Sequence, residues 1–210
     1  MRPRVTFSKT GPLIFVGNLD LLTIWERAAR RAGLALAYSQ GFHPQPKIQF
    51  AAPLPLGFSS RCEIVDLWLH EDVECSELAG RLQPVLPAGI SILGVESVNA
   101  QAPPISTQVQ AAEYEITFLA PPPAAELEAR VGTLLAASSM PRERRGRHYD
   151  LRPLIQSLQV AGGTSERGPV ILMRLTALEG ATGRPDEALD ALGLPRENAR
   201  IERVALIIRS

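Results

Sequence analysis

The sequence has little cysteine and no long apolar run. Cys62 and Cys75 are its only cysteines, too few for a disulfide framework or for an iron–sulfur cluster bound by four thiolates. No apolar run approaches the roughly 20 residues that span a bilayer. The opening MRPRVTFSKTG lacks the apolar core of a signal peptide. We therefore expect a cytoplasmic protein without a membrane partner.

Lysine is almost absent, because the chain has 20 arginines but only two lysines, Lys9 and Lys47. A compact ammonium on a flexible stem meets a ligand differently from a planar guanidinium. If arginine replaced lysine wherever it would serve, the two remaining lysines are candidates for a point charge that contacts a phosphate. Chance retention would produce the same pattern, so both interpretations stay open.

Charge is balanced overall but unevenly distributed. The chain has 22 basic and 22 acidic residues, which gives no support to a general polycation. Residues 1–50 carry seven basic and two acidic groups, whereas residues 51–100 carry two basic and seven acidic groups. A basic face is therefore compatible with a neutral chain.

The order of the predicted elements indicates the fold class. In the first half, a strand, a helix, one or two strands, a strand, a helix and a strand follow one another, which is the split βαβ order of a ferredoxin-like unit. The second half repeats this order without a residue-level repeat. We predict an α+β protein of two ferredoxin-like halves, residues 1–99 and 111–210, whose antiparallel sheets pack together, with a polar linker at 100–110.

Individual elements are predicted from their periodicity. Strands are expected at residues 4–8, 34–38, 48–50, 63–69, 90–98, 113–119, within 149–160, and at 170–178 and 201–208. Helices are expected at 18–33, 76–86, 124–137 and 184–192.

The segment Ser39–Lys47 combines a glycine, two prolines, an aromatic residue, a histidine and a lysine. Prolines fix φ and remove donors, so this loop should hold its side chains in a defined geometry. Loops on rigid scaffolds often carry function, although a connection that only packs would also fit. Ser39, Phe42, His43 and Lys47 are candidate binding residues. His43 is the sole candidate for acid–base catalysis, and the sequence pairs no carboxylate with it.

The densest charge run is Arg142–His148. Such runs are commonly solvated loops. The alternative is an arm that contacts phosphates, provided that it lies beside Lys9, Lys47 and the basic face of the first helix. The candidate residues in the run and on the helix are Arg142, Arg144, Arg145, Arg147, Arg27 and Arg31.

Known catalytic and metal-binding signatures are missing from the sequence. It contains no G-x-x-x-x-G-K-[ST], no G-x-G-x-x-G and no G-x-S-x-G motif. The spacing of Cys62, His70 and Cys75 matches no zinc-ligand pattern. No RNP signature supports a base-stacking platform of the RRM type. We predict no metal site in this chain.

Several segments together resemble the bacterial radical SAM-linked protein family. They are FSKTGP at 7–12, GNLDLL at 17–22, RAARRAG at 27–33, AYSQGFHPQPKI at 37–48, PLPLG at 53–57 and DLRP at 150–153. This family is a domain of unknown function found beside, or fused behind, a radical SAM protein. Asn18 stands where the family pattern usually has a histidine, so proton transfer is not expected there. An asparagine can still cap the helix or donate a hydrogen bond.

The resemblance implies a radical SAM protein as partner, and the iron–sulfur cluster and S-adenosylmethionine are then expected only in that partner. We expect this chain to be a noncatalytic accessory or substrate-recognition module that binds structured RNA, either tRNA or rRNA, for modification. The expected contacts are Lys9, Asn18, Arg27, Arg31, the Ser39–Lys47 loop and the arginine run. Duplicated ferredoxin-like units are also similar to RNA-binding scaffolds, an analogy of fold alone.

Two alternatives remain open at this point. One is a protein-only adaptor in which the Ser39–Lys47 loop docks the radical SAM partner. The other is a metal-independent RNA-processing enzyme in which His43 acts as acid or base and Lys47 stabilises developing negative charge.

Overall fold

Both halves of the chain contain β-strands and α-helices. The computed structural model describes residues 1–144, 146–162 and 168–209, and the chain divides into two units, Met1–Val109 and Gln110–Ser210. Arg145 of the predicted arginine run lies outside the described residues. No helix in these ranges is both long enough and apolar enough to cross a membrane.

The first unit has the strand and helix order of a ferredoxin-like fold. Its elements are β1 (Arg2–Lys9), α1 (Asn18–Arg31), β2 (Ile48–Phe50), β3 (Ser59–Leu67), α2 (Cys75–Leu82), β4 (Ile90–Val98) and the short α3 (Ile105–Gln108), with 3-10 turns at Gly11–Phe15 and Gln83–Val85. The strands lie in the order β2-β3-β1-β4, and all neighbours are antiparallel. The first and third strands are therefore central, as in a split βαβ arrangement.

Helix α1 packs on this sheet through an apolar stripe. Leu21, Trp25 and Ala28 are buried, and the Trp25 ring meets Phe7 of β1 edge-on at 4.9 Å between centroids. The N-cap residue is Gly17 and not Asn18, which is the first helical residue. Extended backbone at Gly17, with φ −72° and ψ 168°, sets this boundary. The expectation that Asn18 caps the helix was therefore wrong by one residue, a common difference at helix ends.

A buried carboxylate joins β1 to β3. Asp66 is fully buried, and its Oδ2 accepts hydrogen bonds from Nε and Nη2 of Arg2 at 3.1 and 2.7 Å. Arg4 Nε donates to Oδ1 of the same carboxylate at 2.8 Å. Arg2 Nη1 also donates to the Ala102 carbonyl at 2.6 Å, and its guanidinium lies 4.6 Å from the centre of the Trp68 ring. One carboxylate thus positions two arginines and part of the segment after β4.

The second unit repeats this order. Its elements are β5 (Val109–Phe118), α4 (Ala124–Ala136), β6 (Pro141–Arg144), β7 (Arg147–Asp150), β8 (Ile155–Ala161), β9 (Val170–Leu178), β10 (Ala181–Thr182), α5 (Pro185–Ala191) and β11 (Ala199–Ile208), with 3-10 turns at Arg152–Leu154 and Arg196–Asn198. The strand order β8-β9-β5-β11 corresponds to β2-β3-β1-β4, and β10 pairs with the end of β9. The α+β class and the ferredoxin-like order of both halves are confirmed.

Three segments differ from their predicted form. The arginine run belongs to the antiparallel hairpin β6–β7, where Arg142 and Arg144 are half-buried and alternate with exposed residues. Residues 34–38 make only the isolated bridges Leu36–Leu69 and Tyr38–Pro46 instead of a strand. The segment 100–110 contains helix α3, in which Ile105 is buried. The hairpin pairs residues that are at most nine positions apart. Residues 34–38 and 100–110 instead follow contacts with residues distant in sequence, such as Leu36 with Leu69 and Ala102 with Arg2, which a local pattern does not contain.

Replacing Asp66 with alanine should lower the free energy of unfolding by about 3–5 kcal/mol, because two guanidinium groups would stay in place without their buried anion. Urea unfolding followed by tryptophan fluorescence measures the change. Glu96→Ala is the matched control, since Glu96 lies 3.9 Å from the Arg4 guanidinium but is 67% exposed. It should cost less than about 1 kcal/mol. Equal losses in the two variants would contradict a special role for the buried carboxylate.

Candidate functional site

The Ser39–Lys47 loop is closed at its base. The Ser39 N–H donates to the Gln45 carbonyl at 2.8 Å, and the Gln45 N–H donates to Ser39 Oγ at 2.9 Å. Just outside this pair, the Lys47 N–H donates to the Ala37 carbonyl at 2.8 Å. Gly41 has φ +134°, a backbone conformation that favours glycine. The residues between Ser39 and Gln45 therefore project from a fixed base.

The tip of this loop presents an aromatic ring to solvent. Phe42 is fully exposed, with a relative accessibility of 102%, and both His43 and Lys47 are exposed. Among the described residues, neither the His43 imidazole nor the Lys47 ammonium has a hydrogen-bond or ion-pair partner. Burying a phenylalanine is worth roughly 1.5–3 kcal/mol, so an exposed Phe42 leaves that energy available for binding.

Helix α1 lies next to the base of the loop. Tyr38 Oη donates to Glu26 Oε1 at 3.4 Å, which links the residue before the loop to the helix. Arg27 and Arg31 are exposed on this helix, one turn apart, and no acidic side chain of the described ranges pairs with them. Asn18 is exposed at the other end of α1, about 20 Å from Arg31 at the rise of an α-helix. The structure therefore links Glu26 of α1 to the base of the loop, and Asn18 lies two turns or more from that contact.

Lys9 is not on this surface. Its side chain is buried, with 2% of the residue exposed, and Nζ donates to the Val16 carbonyl at 2.8 Å. The flexible stem lets the ammonium reach back to the turn that follows β1. The expectation that Lys9 contacts a bound phosphate therefore needs correction, because the ammonium binds the protein's own backbone inside the fold.

A small cavity of about 330 Å³ adjoins Lys47. Trp68 and Gln49 line it together with the segment from Ala100 to Pro104. Gln49 Oε1 is buried and has no hydrogen-bond partner among the described residues. Lys47, Gln49 and Trp68 thus line one recess.

In the second unit, the β6–β7 hairpin is held against helix α5. Arg142 Nη2 lies 3.8 Å from Asp190 Oδ2, and Arg144 Nε lies 3.9 Å from Glu187 Oε1. The Tyr149 hydroxyl donates to the Glu187 carboxylate. These contacts fix the hairpin on its α5 side, where Arg142 and Arg144 are partly neutralised.

Unlike Arg142 and Arg144, Arg147 and His148 of the same hairpin are exposed. Neither side chain has a polar partner in the described part of the chain. Both line a cavity of about 840 Å³, together with Arg144, Tyr149, Leu154 and the Gly180–Thr182 turn. The sequence singled out the arginines of this cavity, but nothing in it indicated that residues 180–182 lie beside them.

Two titratable groups of the hairpin have shifted pKa values. Burial, the hydrogen bond to Glu187 and the negative charge of that carboxylate all raise the pKa of the Tyr149 hydroxyl. The Met140 N–H lowers the pKa of Asp150 by donating to Oδ1 at 2.7 Å, and the Ser139 side chain and the Arg152 N–H act in the same direction. Asp150 therefore fixes the end of the hairpin as a carboxylate.

Metal ligands do not group together in the described ranges, where no three His, Cys, Asp or Glu side chains could hold one ion. His43 likewise has no carboxylate partner there.

These features define a tandem ferredoxin-like protein with an aromatic-tipped loop in one unit and a basic cavity in the other. A family model, DUF2344, described as "Uncharacterized protein conserved in bacteria", matches residues 2–185. The chain belongs to this family, which confirms the prediction of a bacterial domain of unknown function. The linkage to a radical SAM protein stays a prediction. No curated protein matches the sequence.

Solved structures are similar to the chain in fold. Twenty-six chains match, one of them from the crystal structure of a Cbf5-Nop10-Gar1 complex, with a TM-score of 0.50 and 12% identity. The match covers 97% of this chain and 48% of that one, so the chain spans about half the length of the protein it resembles. At this identity the likeness shows the fold alone.

The Tyr149–Glu187 contact predicts a delayed phenol ionisation. Since the pKa is raised in the folded state, the contact stabilises the fold fully below tyrosine's ordinary pKa of about 10. Its contribution is lost as the pH rises through the higher folded value. At pH ~10.5, wild type should show less phenolate absorbance than Glu187→Gln, which lacks the carboxylate charge.

Tyr149→Phe controls the assignment, because it should remove the late phase of one of the chain's three tyrosines. An unchanged titration curve in this variant would show that another tyrosine carries the delay.

Proposed function

We propose that the protein is a noncatalytic RNA-binding module that presents structured RNA to a radical SAM modification enzyme. The observation that carries the proposal is the closed loop with a fully exposed Phe42 beside two exposed cationic or potentially cationic residues, His43 and Lys47. Proteins recognise unpaired RNA bases by stacking them on aromatic rings while basic side chains contact the phosphates. A rigid loop tip of this composition suits an unpaired base in an RNA loop or bulge.

The distribution of unpaired charge supports an anionic partner. Many arginines of the chain are engaged with carboxylates, namely Arg2, Arg4, Arg81, Arg130, Arg174 and Arg184. Arg27, Arg31 and Lys47 have no such partner among the described residues and stay exposed. Because a phosphate backbone binds by displacing its counterions with basic side chains, these three positions suit the edge of an RNA interface.

The radical SAM partner enters through the resemblance of the sequence motifs, with the cluster and S-adenosylmethionine expected in that enzyme. His43 is exposed and has no carboxylate among the described residues to orient or activate it, so the proposal assigns it to binding and not to catalysis. Phe42 would equally suit a protein-only adaptor, and the experiment below separates that alternative.

RNA binding should fall steeply with salt and depend on Phe42. Stacking is worth about 1–3 kcal/mol per base, so Phe42→Ala should weaken binding roughly 5- to 150-fold. Lys47→Glu should weaken it and reduce the salt slope by about one unit. The measurement is filter binding of total cellular RNA at stepped salt, with the retained RNA sequenced.

Matched controls come from the same chain. Leu93→Ala removes another exposed apolar side chain, on β4, and Arg200→Glu reverses an exposed charge on β11. Both should leave RNA affinity nearly unchanged. Absence of RNA binding at low salt would overturn the RNA role. Loss of a co-purifying radical SAM protein in Phe42→Ala would then identify the adaptor.

A further inference from the structure

The cavity beside the β6–β7 hairpin is lined by residues other than those of the proposed RNA-binding loop. It lies wholly in the second unit, and its volume of about 840 Å³ falls in the range of small-molecule sites. An inorganic anion would fill only a small part of such a volume. A ligand that fills the cavity must therefore be larger than an inorganic anion.

The cavity has a cationic side. Arg147 and His148 are exposed on β7, and neither has a polar partner in the described ranges. Arg144 lines the same cavity, although its Nε lies 3.9 Å from Glu187. The carboxylate of Asp150 also lines the cavity, but it accepts backbone N–H groups from Met140 and Arg152 at 2.7 and 3.0 Å. Guanidinium groups in this setting suit a phosphate, which they can bind in a bidentate manner.

The cavity also has a flat, partly apolar side. The Tyr149 ring lines it, and the hydrogen bond from its hydroxyl to Glu187 restrains the ring. Leu154 and Ala181 add apolar surface. A restrained aromatic ring next to apolar walls is suited to the face of a planar heterocycle.

The geometry points to a nucleotide site in this cavity, with the phosphate at Arg147 and Arg144 and the base against Tyr149. A nucleoside monophosphate combines the two properties that the cavity offers, an anionic group and a planar ring. The ligand is either a free nucleotide or one nucleotide of an RNA chain, and the experiment has an arm for each. The site does not require the RNA role of the Ser39–Lys47 loop.

The test is calorimetric titration of the full chain with AMP, GMP, CMP and UMP, and with inorganic phosphate alone. At least one nucleotide should bind with a dissociation constant below about 1 mM, and inorganic phosphate at least about 10-fold more weakly. Arg147→Glu should weaken nucleotide binding about 10-fold or more, because it removes a charge-assisted contact and adds repulsion. This residue is exposed, so the variant should fold, as circular dichroism checks.

Two further variants complete the design. Arg200→Glu makes the same charge change outside the cavity and should leave nucleotide affinity unchanged. Phe42→Ala should also leave nucleotide affinity unchanged, so that failure of the RNA proposal is distinguished from failure of this one.

A 5′-phosphorylated trinucleotide distinguishes the two sources of the nucleotide. If it binds more tightly than every mononucleotide, and loses affinity in Arg147→Glu, the source is RNA. Tighter binding of a mononucleotide would identify a free nucleotide.

Three results would overturn the inference. They are no nucleotide binding at millimolar concentration, equal affinity for inorganic phosphate and nucleotides, or an Arg147→Glu variant that binds nucleotides as wild type does.

Discussion

The first unit depends on one buried carboxylate. Asp66 carries a charge in a fully buried position, and such a charge is tolerated only when it is paired and hydrogen-bonded. Arg2 and Arg4 meet this requirement from the adjacent strand, which fixes β1 against β3. Arg2 then reaches the backbone of the segment after β4 and the ring of Trp68. Arg2, Trp68 and Ala102 line the recess beside Lys47. The pairing of Arg2 with Asp66 therefore also positions the walls of this recess.

Both candidate sites follow the same physical plan, in which a segment is tethered by hydrogen bonds and also presents groups that have no partner among the described residues. In the first unit, Ser39 and Gln45 close the loop that exposes Phe42. In the second unit, Glu187 of α5 holds the hairpin through Tyr149, while Arg147 stays exposed. Tethering lowers the entropy that a segment loses on binding, so the presented side chains can contribute more of their interaction energy to a ligand.

Sequence patterns predicted a large part of the fold and some of the site. Strands β4 and β9 and helix α4 lie where alternation and helical periodicity indicated, since those patterns are local. The rigid loop was also predictable, because prolines fix φ wherever they occur. The burial of Lys9 was not predictable, since a lysine at a strand end looks the same in sequence whether its ammonium meets solvent or the Val16 carbonyl.

The sequence by itself determined the α+β class, the order of elements and the family motifs, because each depends on residues close together in the chain. Tertiary structure alone decided which charged side chains form ion pairs and which stay exposed. Arg2 and Asp66 are 64 positions apart, and Tyr149 and Glu187 are 38 apart. Nothing local to either residue encodes such a contact, because it arises only when strands and helices pack. The same packing leaves Arg147 exposed in a cavity and Lys47 exposed beside a recess.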